Sequence, residues 1–424
     1  MSLNTAFINL INNNAVNKQD VLKSVKAIAK KLNSIYYGIS YDDQNFIVSG
    51  SYGRGTSISS SDIDVCYILP NNVYQRFSQR RGNIQSQLLV EIKTHLEERY
   101  PNSTIKGDGQ VVDALFNKIF IELVPSFKLY SYSSELTYPN THDNGEWLLT
   151  NPIEQKKEVE KFCTSYQIYR DLCMILRCWK DEQNVDIKGI EIDLLVHQFL
   201  SNEYQYFGIT SSNIDWIACL KKIFAFLNCD AVRSFKILGE NEYKEISFSK
   251  FKKKAEKAYK KLSDEDFCTL WDNCITLFGN GFPSNPLYDS KAGDKEQFIQ
   301  QLFTIRITNS LRINCDVSSD GFMTKKLKEL LQHISPTNRF IVQQSKSLEF
   351  YIEYCDVERP YDIYWKVRNV GSEAVSRNQV RGTIFKGKET QNEHSNFHGP
   401  HYVECFIVKD DKCVARDRID VPII

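Results

Sequence analysis

The sequence predicts an α+β fold: a sheet with helices first, a helical half next, and a small β domain last. Residues 63–69 and 118–127 carry apolar side chains at every second position, which is typical of half-buried strands. Residues 159–181 repeat apolar side chains at helical spacing. In residues 347–424, short β-type runs alternate with turn signals.

Changes in the spacing of apolar residues and in polarity along the chain predict the domain boundaries. We expect a first domain at 1–150, a helical half at 151–345 and a β domain at 346–424. A polar, turn-rich stretch at 130–160 reads as the crossing between the first two. The segment 334–346, which contains Ser-Pro-Thr-Asn, reads as the second boundary.

Composition narrows the class of protein. The 424 residues suffice for two or three domains, and 53 basic against 53 acidic residues give a net charge of zero. Bulk charge therefore gives no argument for a nucleic-acid coat protein. The N-terminus has no signal-peptide pattern, and no window of about 18 apolar residues occurs. We expect a cytoplasmic protein with no membrane segment, in which the twelve scattered cysteines are reduced core residues.

Two amphipathic helices flank the first strands. Asn17 is a plausible N-cap for the first helix, which should pack on the sheet. Its apolar face comprises Val21, Val25, Ile28, Leu32 and Ile35. The second helix presents Ile84, Leu88, Leu89, Ile92 and Leu96.

The stretch 48–69 carries the candidate chemistry. Its glycine-rich turn includes Gly50 and Ser51, where backbone N–H groups and a hydroxyl can approach phosphate oxygens. Asp62 and Asp64 follow on one face of a strand. Two adjacent carboxylates repel unless a cation lies between them, and oxygen ligands suit Mg²⁺ better than zinc.

A third acid is expected from the strand at 118–127, where Glu122 is the single acid inside an apolar run. If this strand lies beside the first, Glu122 completes a cluster of three carboxylates. Asp113, in the run Val-Val-Asp-Ala-Leu, is the rival candidate.

These residues resemble a known signature. Gly-Ser followed by two aspartates alternating with apolar residues is similar to the nucleotidyltransferase signature of the polymerase-beta superfamily. The longer pattern GSYGRGT, then SSDIDV, resembles the cyclic GMP–AMP synthase/DncV-like enzymes, the bacterial second-messenger synthases of the SMODS family. The resemblance implies a polymerase-beta-like sheet and points to Glu122 as third acid, since Leu-Val-Pro follows it. Glutamate stands there in place of the family's usual aspartate.

Residues 159–181 carry Arg170, Arg177 and Lys180 on a shared side of the predicted helix. They form either a clamp for an incoming triphosphate or an ordinary solvated cationic face. The resemblance, in which this helix carries a nucleotide-binding lysine, favours Lys180 and then Arg177. Helical pattern is expected to continue through 186–282 and to resume up to Leu331.

A lysine stripe follows in this helical half. It is either a surface for a phosphate-rich partner or, as we favour, a solvated helix face balanced by nearby acids. Its members are Lys250, Lys253, Lys254, Lys257, Lys260 and Lys261.

The C-terminal runs YWKVRNVGSEA, VRGTIF and HYVECFIV resemble the AGS-C domain, a sensor-like domain appended to such synthases. Asp410 and Asp411 suggest a hairpin turn there. His394, His398 and His401 have a spacing that could suit zinc, but a polar loop or a ligand contact is the favoured interpretation.

The resemblance implies a cyclic di- or oligonucleotide synthase in bacterial antiphage signalling of the CBASS type. It would use ATP, GTP or other NTPs with Mg²⁺, or Mn²⁺ as the alternative ion. Its product would reach a separate effector, and an activating ligand would act at the C-terminal domain. An RNA-tailing nucleotidyltransferase and a catalytically silent nucleotide-binding module are the alternatives.

Overall fold

The computed structural model describes residues 1–424 apart from 102, 104, 117–118, 129, 131–132, 280, 285–295, 319–323, 333–341, 343, 371, 378, 397 and 424. Runs of strands, such as β3 to β7, and runs of helices, such as α6 to α8, follow one another along the chain, which confirms the α+β class. The chain divides into two compact units, residues 2–263 and 264–424. The three-part division at 150 and 345 stays a prediction, and most of 334–346 lies outside the described residues.

The strands of the first unit are β1 (Phe46–Val48), β2 (Ile63–Ile68), β3 (Ile105–Asp108), β4 (Val111–Phe116), β5 (Ile119–Lys128), β6 (Leu136–Asn140), β7 (Glu146–Thr150), β8 (Val232–Lys236) and β9 (Tyr243–Ser247). One sheet has the order β1-β2-β5-β4-β3, and β6 and β7 extend it from β5. Within it β2 and β5 run parallel, while the other neighbours are antiparallel. A separate hairpin joins β8 and β9.

The helices of the first unit are α1 (Leu3–Asn13), α2 (Lys18–Tyr36), α3 (Gly50–Arg54), α4 (Asn71–Ser78), α5 (Ile84–Arg99), α6 (Pro152–Ser165), α7 (Tyr169–Gln183), α8 (Gly189–Asn202), α9 (Trp216–Leu227) and α10 (Lys252–Leu262). Asn17 caps α2, as predicted, because its side chain accepts from the backbone N–H groups of Gln19 and Asp20. The predicted apolar faces of α2 and α5, apart from the half-buried Ile35 and Ile84, pack with β2 and β5 in one buried core. That core holds the acid-bearing strands in place from one side of the sheet.

The stretch 130–160 contains the hairpin β6–β7 and the start of α6, and its interpretation as a crossing between two halves stays a prediction. Two other predictions about the first unit are wrong. Residues 159–181 form two helices rather than one. The break lies at 166–168, where the chain bends and buries Tyr166 and Ile168. Finally, the hairpin β8–β9 interrupts the helical pattern of 186–282.

The strands of the second unit are β10 (Thr304–Ile305), β11 (Leu311–Ser318), β12 (Lys325–Lys326), β13 (Ser347–Cys355), β14 (Asp362–Arg368), β15 (Arg381–Lys386), β16 (Thr390–His394), β17 (Gly399–Lys409) and β18 (Lys412–Ile423). Its helices are α11 (Phe267–Phe278), α12 (Ile299–Leu302), α13 (Leu327–Gln332) and α14 (Ser372–Ser376). One sheet has the order β10-β18-β17-β14-β15 and the other β12-β11-β13-β16. Both sheets contribute to one apolar core.

The predicted β-rich C-terminus is confirmed by β13 to β18. Asp410 and Asp411 form the turn between β17 and β18, both with positive φ, as the predicted hairpin requires. The helical pattern expected up to Leu331 is wrong in part, because β11 occupies Leu311–Ser318. Among the described helices, none has both the length and the apolar character needed to cross a membrane.

Candidate active site

Strand pairing brings carboxylates together in a row across three strands. Asp64 of β2 lies directly opposite Glu122 of β5, and Glu122 lies directly opposite Asp113 of β4. Directly opposed residues of neighbouring strands point to the same face of a sheet. Asp62, two residues before Asp64, belongs to this face by alternation. The prediction that the Glu122 strand lies beside the aspartate strand is confirmed, and the rival Asp113 occupies the same row.

The members of this carboxylate row differ in exposure. Asp62, Asp64 and Glu122 keep part of their surface accessible, whereas Asp113 is buried. Desolvation raises the pKa of the Asp64 carboxyl, and the charge of Arg54 only partly offsets this effect. A partly desolvated carboxylate of this kind is stabilised in its charged form by a nearby cation.

The predicted glycine turn folds as the short helix α3, which follows β1. Gly50 begins it with a φ of 59°, a left-handed conformation that favours glycine. A Cβ atom at Gly50 would overlap the Oδ2 atom of Asp64. The backbone N–H of Ser49 also donates to the Asp64 carbonyl at 2.8 Å. The turn that carries Gly50 and Ser51 is therefore packed directly against the carboxylate row.

A buried ionic cluster fixes the other end of α3. Asp193 of α8 is fully buried and accepts from Arg54 Nε at 2.9 Å and from Thr56 Oγ1 at 3.0 Å, and it forms an ion pair with Arg177 at 2.7 Å. Burial alone would raise the pKa of Asp193, but the two arginines hold it below its usual value. In addition, Arg170 Nε donates to the Arg54 carbonyl at 3.1 Å.

Arg177 and Lys180 consequently have different surroundings, although both belong to α7. Arg177 is only 4% exposed, and its guanidinium also donates to the Gly189 carbonyl, so it is a buried counter-ion of Asp193. The phosphate contact that we predicted for Arg177 stays a prediction. The Lys180 side chain is 34% exposed and lies 3.4 Å from the Asp181 carboxylate. Asp181 in turn accepts from Ser60 at 2.7 Å, which ties the end of α7 to the segment that leads into Asp62.

Carboxylate oxygens are the donor set that Mg²⁺ prefers, and the carboxylate row supplies them from adjacent backbone positions. In the side-chain conformations of the described residues, no three His, Cys, Asp or Glu side chains converge as a ready metal site. The residues present thus fit Mg²⁺ in chemistry and backbone placement, with side-chain rotation needed to close the ligand set. The same finding gives no support to zinc at His394, His398 and His401.

Sequence reasoning missed Asp193 and Arg54, which pair with each other and fix one end of the turn. A signal was present for Asp193. Asp193 lies in a stretch of α8 that is apolar on nearly every side, Ile-Glu-Ile-Asp-Leu-Leu-Val, where an acid must be paired. The partner of such an acid cannot be read from spacing, because Arg54 lies 139 residues away.

Comparison with known families agrees with this geometry. Residues 1–162 match the family model of the Second Messenger Oligonucleotide or Dinucleotide Synthetase domain, SMODS. Residues 293–424 match AGS_C, the Adenylyl/Guanylyl and SMODS C-terminal sensor domain. The fold, the carboxylate row and the SMODS match identify a nucleotidyltransferase. More particularly, residues 1–162 are similar to a second-messenger synthetase domain and residues 293–424 to the C-terminal sensor domain that accompanies such synthetases.

Several solved structures are similar to this chain at low sequence identity. E. coli MS115-1 CdnC with ATP is 15% identical, with a TM-score of 0.47 over 66% of this chain and 98% of that chain. Elizabethkingia meningoseptica CdnE cyclic dinucleotide synthase, with GTP and Apcpp, is 13% identical, with a TM-score of 0.45 over 62% and 100%. The GTP-bound form of Vibrio cholerae DncV is 14% identical, with a TM-score of 0.45 over 66% and 86%. No curated protein matches the chain.

Proposed function

We propose that this protein joins NTPs into a cyclic di- or oligonucleotide second messenger and releases pyrophosphate. One observation carries the proposal: Asp64, Glu122 and Asp113 lie side by side, with the backbone of Gly50 packed against Asp64. This arrangement lies in the segment that matches the SMODS family. The same family description supports a dinucleotide or oligonucleotide product.

Each residue of the proposed site has a role that follows from its chemistry. Gly50 and Ser51 bind the phosphates that leave, because a turn of this kind presents N–H groups and a hydroxyl. Lys180 neutralises the charge that develops on them. Asp62, Asp64 and Glu122 would hold Mg²⁺, or Mn²⁺, with Asp113 as the alternative third acid. The bound ions supply charge stabilisation and a more nucleophilic hydroxyl.

Nucleotidyl transfer needs no covalent nucleophile from the protein, since positioning and electrostatics dominate phosphoryl-type reactions. The acceptor is the 3′- or 2′-hydroxyl of a second nucleotide, and a second transfer closes the ring. We further propose that the product serves CBASS-type antiphage signalling in the cytoplasm through a separate effector. The second unit, which matches a sensor domain, is the proposed place for an activating ligand.

Product analysis tests the proposal. The purified chain is incubated with radiolabelled NTPs and Mg²⁺ without RNA, treated with phosphatase, and the products are resolved. Phosphatase-resistant label is expected, and it should vanish in the Asp62→Asn, Asp64→Asn double variant. Label that appears only when RNA is supplied would instead indicate tailing. Full turnover by the double variant would show that the acids are wrongly assigned.

A further inference from the structure

The second unit contains a cavity of about 450 Å³ that the proposed synthase reaction does not use. Its walls come from the inner faces of both sheets and include Phe350 of β13, Val367 of β14, Val403 of β17 and Val421 of β18. The strand register places Val367 opposite Val403, and His401 opposite Val421. The cavity therefore lies at one end of the shared core, and its volume is in the range of small-molecule sites.

Polar side chains gather around this apolar wall. Arg381, at the start of β15, makes two parallel bonds of 2.6 and 3.0 Å to the Glu393 carboxylate. It does so from a φ of 56°, a conformation that non-glycine residues seldom adopt. The Arg381 carbonyl accepts from Arg368 at 2.7 Å, which holds the backbone there. Strained residues of this kind persist where the surroundings fix them, and they cluster at ligand sites.

Two of the three histidines singled out from the sequence, His394 and His401, line this cavity. The His401 ring is only 4% exposed, and its Nδ1 accepts from the Val370 backbone N–H at 3.0 Å. A neutral ring held in this way carries its proton on Nε2 and is a donor at that atom. Arg377 completes the polar lining and pairs at 2.7 Å with Glu373, which is not part of the lining.

The charge of the lining indicates the ligand. Two arginines face one acid of the lining, Glu393, which is paired with Arg381, while Arg377 is paired with Glu373 from outside the lining. The arginines and the carboxylate of the lining thus sum to one positive charge, next to an apolar wall. We propose that the cavity binds a small organic anion, with an apolar or aromatic body in the core and a carboxylate, sulfonate or phosphate group at the arginines. The AGS_C match names a sensor without assigning a site, and this proposal does not depend on the synthase reaction.

The test uses 1-anilinonaphthalene-8-sulfonate, an aromatic anion whose fluorescence rises in apolar surroundings, added to the full-length chain. We expect saturable binding to one site per chain. Arg381→Gln and Arg377→Gln should each weaken that binding about tenfold, and Val403→Phe should abolish it by filling the wall. Arg359→Gln is the matched control, because it removes an exposed arginine that pairs with Glu389 elsewhere in the same unit. It should leave binding unchanged.

Thermal unfolding of each variant, followed by circular dichroism, separates loss of the site from loss of the fold. If Val403→Phe does not fold, Arg377→Gln decides, since it changes a side chain that is 56% exposed. Competition then distinguishes the anionic group: octanoate tests a carboxylate, AMP a phosphate on an aromatic body, and inorganic phosphate a bare anion. Equal dye binding by the wild type, Arg377→Gln and Arg381→Gln, or the absence of saturable binding, would overturn the proposal.

Discussion

Gly50 is the residue on which the contact between the turn and the carboxylate row depends. An alanine there would have to tolerate a φ of 59° and a methyl group that overlaps the Asp64 carboxylate. Either the turn or Asp64 must therefore move, and sub-ångström placement matters in phosphoryl-type transfer. We expect Gly50→Ala to lower the rate of product formation by about 100-fold or more, measured with labelled NTPs.

Gly38 provides the matched control for that substitution. It has a similar φ of 65°, but a Cβ atom there meets no other atom within 4 Å. Gly38→Ala should cost about 1 kcal/mol of stability from backbone strain and leave the catalytic rate unchanged. Equal activity of Gly50→Ala and Gly38→Ala would show that the turn does not position the carboxylate row.

The choice between Glu122 and Asp113 is the second prediction at this scale. Glu122 is adjacent to Asp64 and partly exposed, whereas Asp113 is one strand further away and buried. We expect Glu122→Gln to reduce turnover by more than about 100-fold, and Asp113→Asn by less than about tenfold. Glu97→Gln, at an exposed pair with Lys93, is the control for loss of one negative charge. The reverse order of the two effects would assign the third acid to Asp113.

Sequence alone could place Asp62 and Asp64 on one face, because alternation along a strand is local. Sequence alone left Glu122 and Asp113 as alternatives for the third acid. Which of them lies opposite Asp64 depends on how strands distant in sequence pair, and local patterns do not show this. For the same reason, the burial of Arg177 was not predictable. Its counter-ion Asp193 lies on another helix. The position of Arg177 around α7 therefore does not reveal which residues bury it.

At the scale of elements, α7 carries both the buried Arg177 and the partly exposed Lys180, for which we propose a role in NTP binding. Lys180→Gln should raise the KM for NTPs about tenfold, because one partly exposed cation near the segment before Asp62 is lost. Its midpoint of thermal unfolding should stay near that of the wild type. Lys157→Gln, at an exposed pair with Glu154 on α6, is the control and should change neither quantity. If the KM of Lys180→Gln equalled that of the wild type, Lys180 would not belong to the proposed site.

Within the second unit, Glu296 connects the segment before β10 to the strands β14 and β17. Its carboxylate lies 2.7 Å from Lys366 and 3.6 Å from Arg368, and Tyr402 donates to it. Burial alone would raise the pKa of Glu296, but the two cations lower it from 4.5 to about 2. A carboxyl group whose pKa is lowered by folding stabilises the folded state at pH values above its pKa in the unfolded chain. This stability is lost as the pH falls from about 4.5 to about 2. It amounts to about 3 kcal/mol at neutral pH.

We therefore expect Glu296→Gln to destabilise the second unit by about 3 kcal/mol at pH 7, and the difference from wild type to vanish near pH 2. Urea unfolding across this pH range measures it. Glu389→Gln, at an exposed ion pair with Arg359, should have almost no effect at any pH. A deficit of Glu296→Gln that persisted unchanged at pH 2 would mean that shape, not charge, anchors the segment.

The elements that the sequence predicted well are those with strong local signals. Asn17 and a regular apolar face define α2, and alternation with turn residues defines β13 to β18. The missed elements lack such signals. The hairpin β6–β7 has strands of only five residues around a polar turn, and β11 follows a stretch of helical pattern, so in both cases pairing with other strands overrides local preference.

For the whole molecule, the presence of two compact units with separate cores leads to the last prediction. The first core unites α2, α5 and the sheet that carries the carboxylate row, whereas the second lies between the two C-terminal sheets. Because each core is built from residues of its own unit, we expect two heat-absorption peaks in differential scanning calorimetry. Arg177→Met, which removes one of the cations paired with buried Asp193, should shift one peak alone. Glu296→Gln should shift the other. A single peak that moves equally in both variants would instead show that the chain unfolds as one cooperative body.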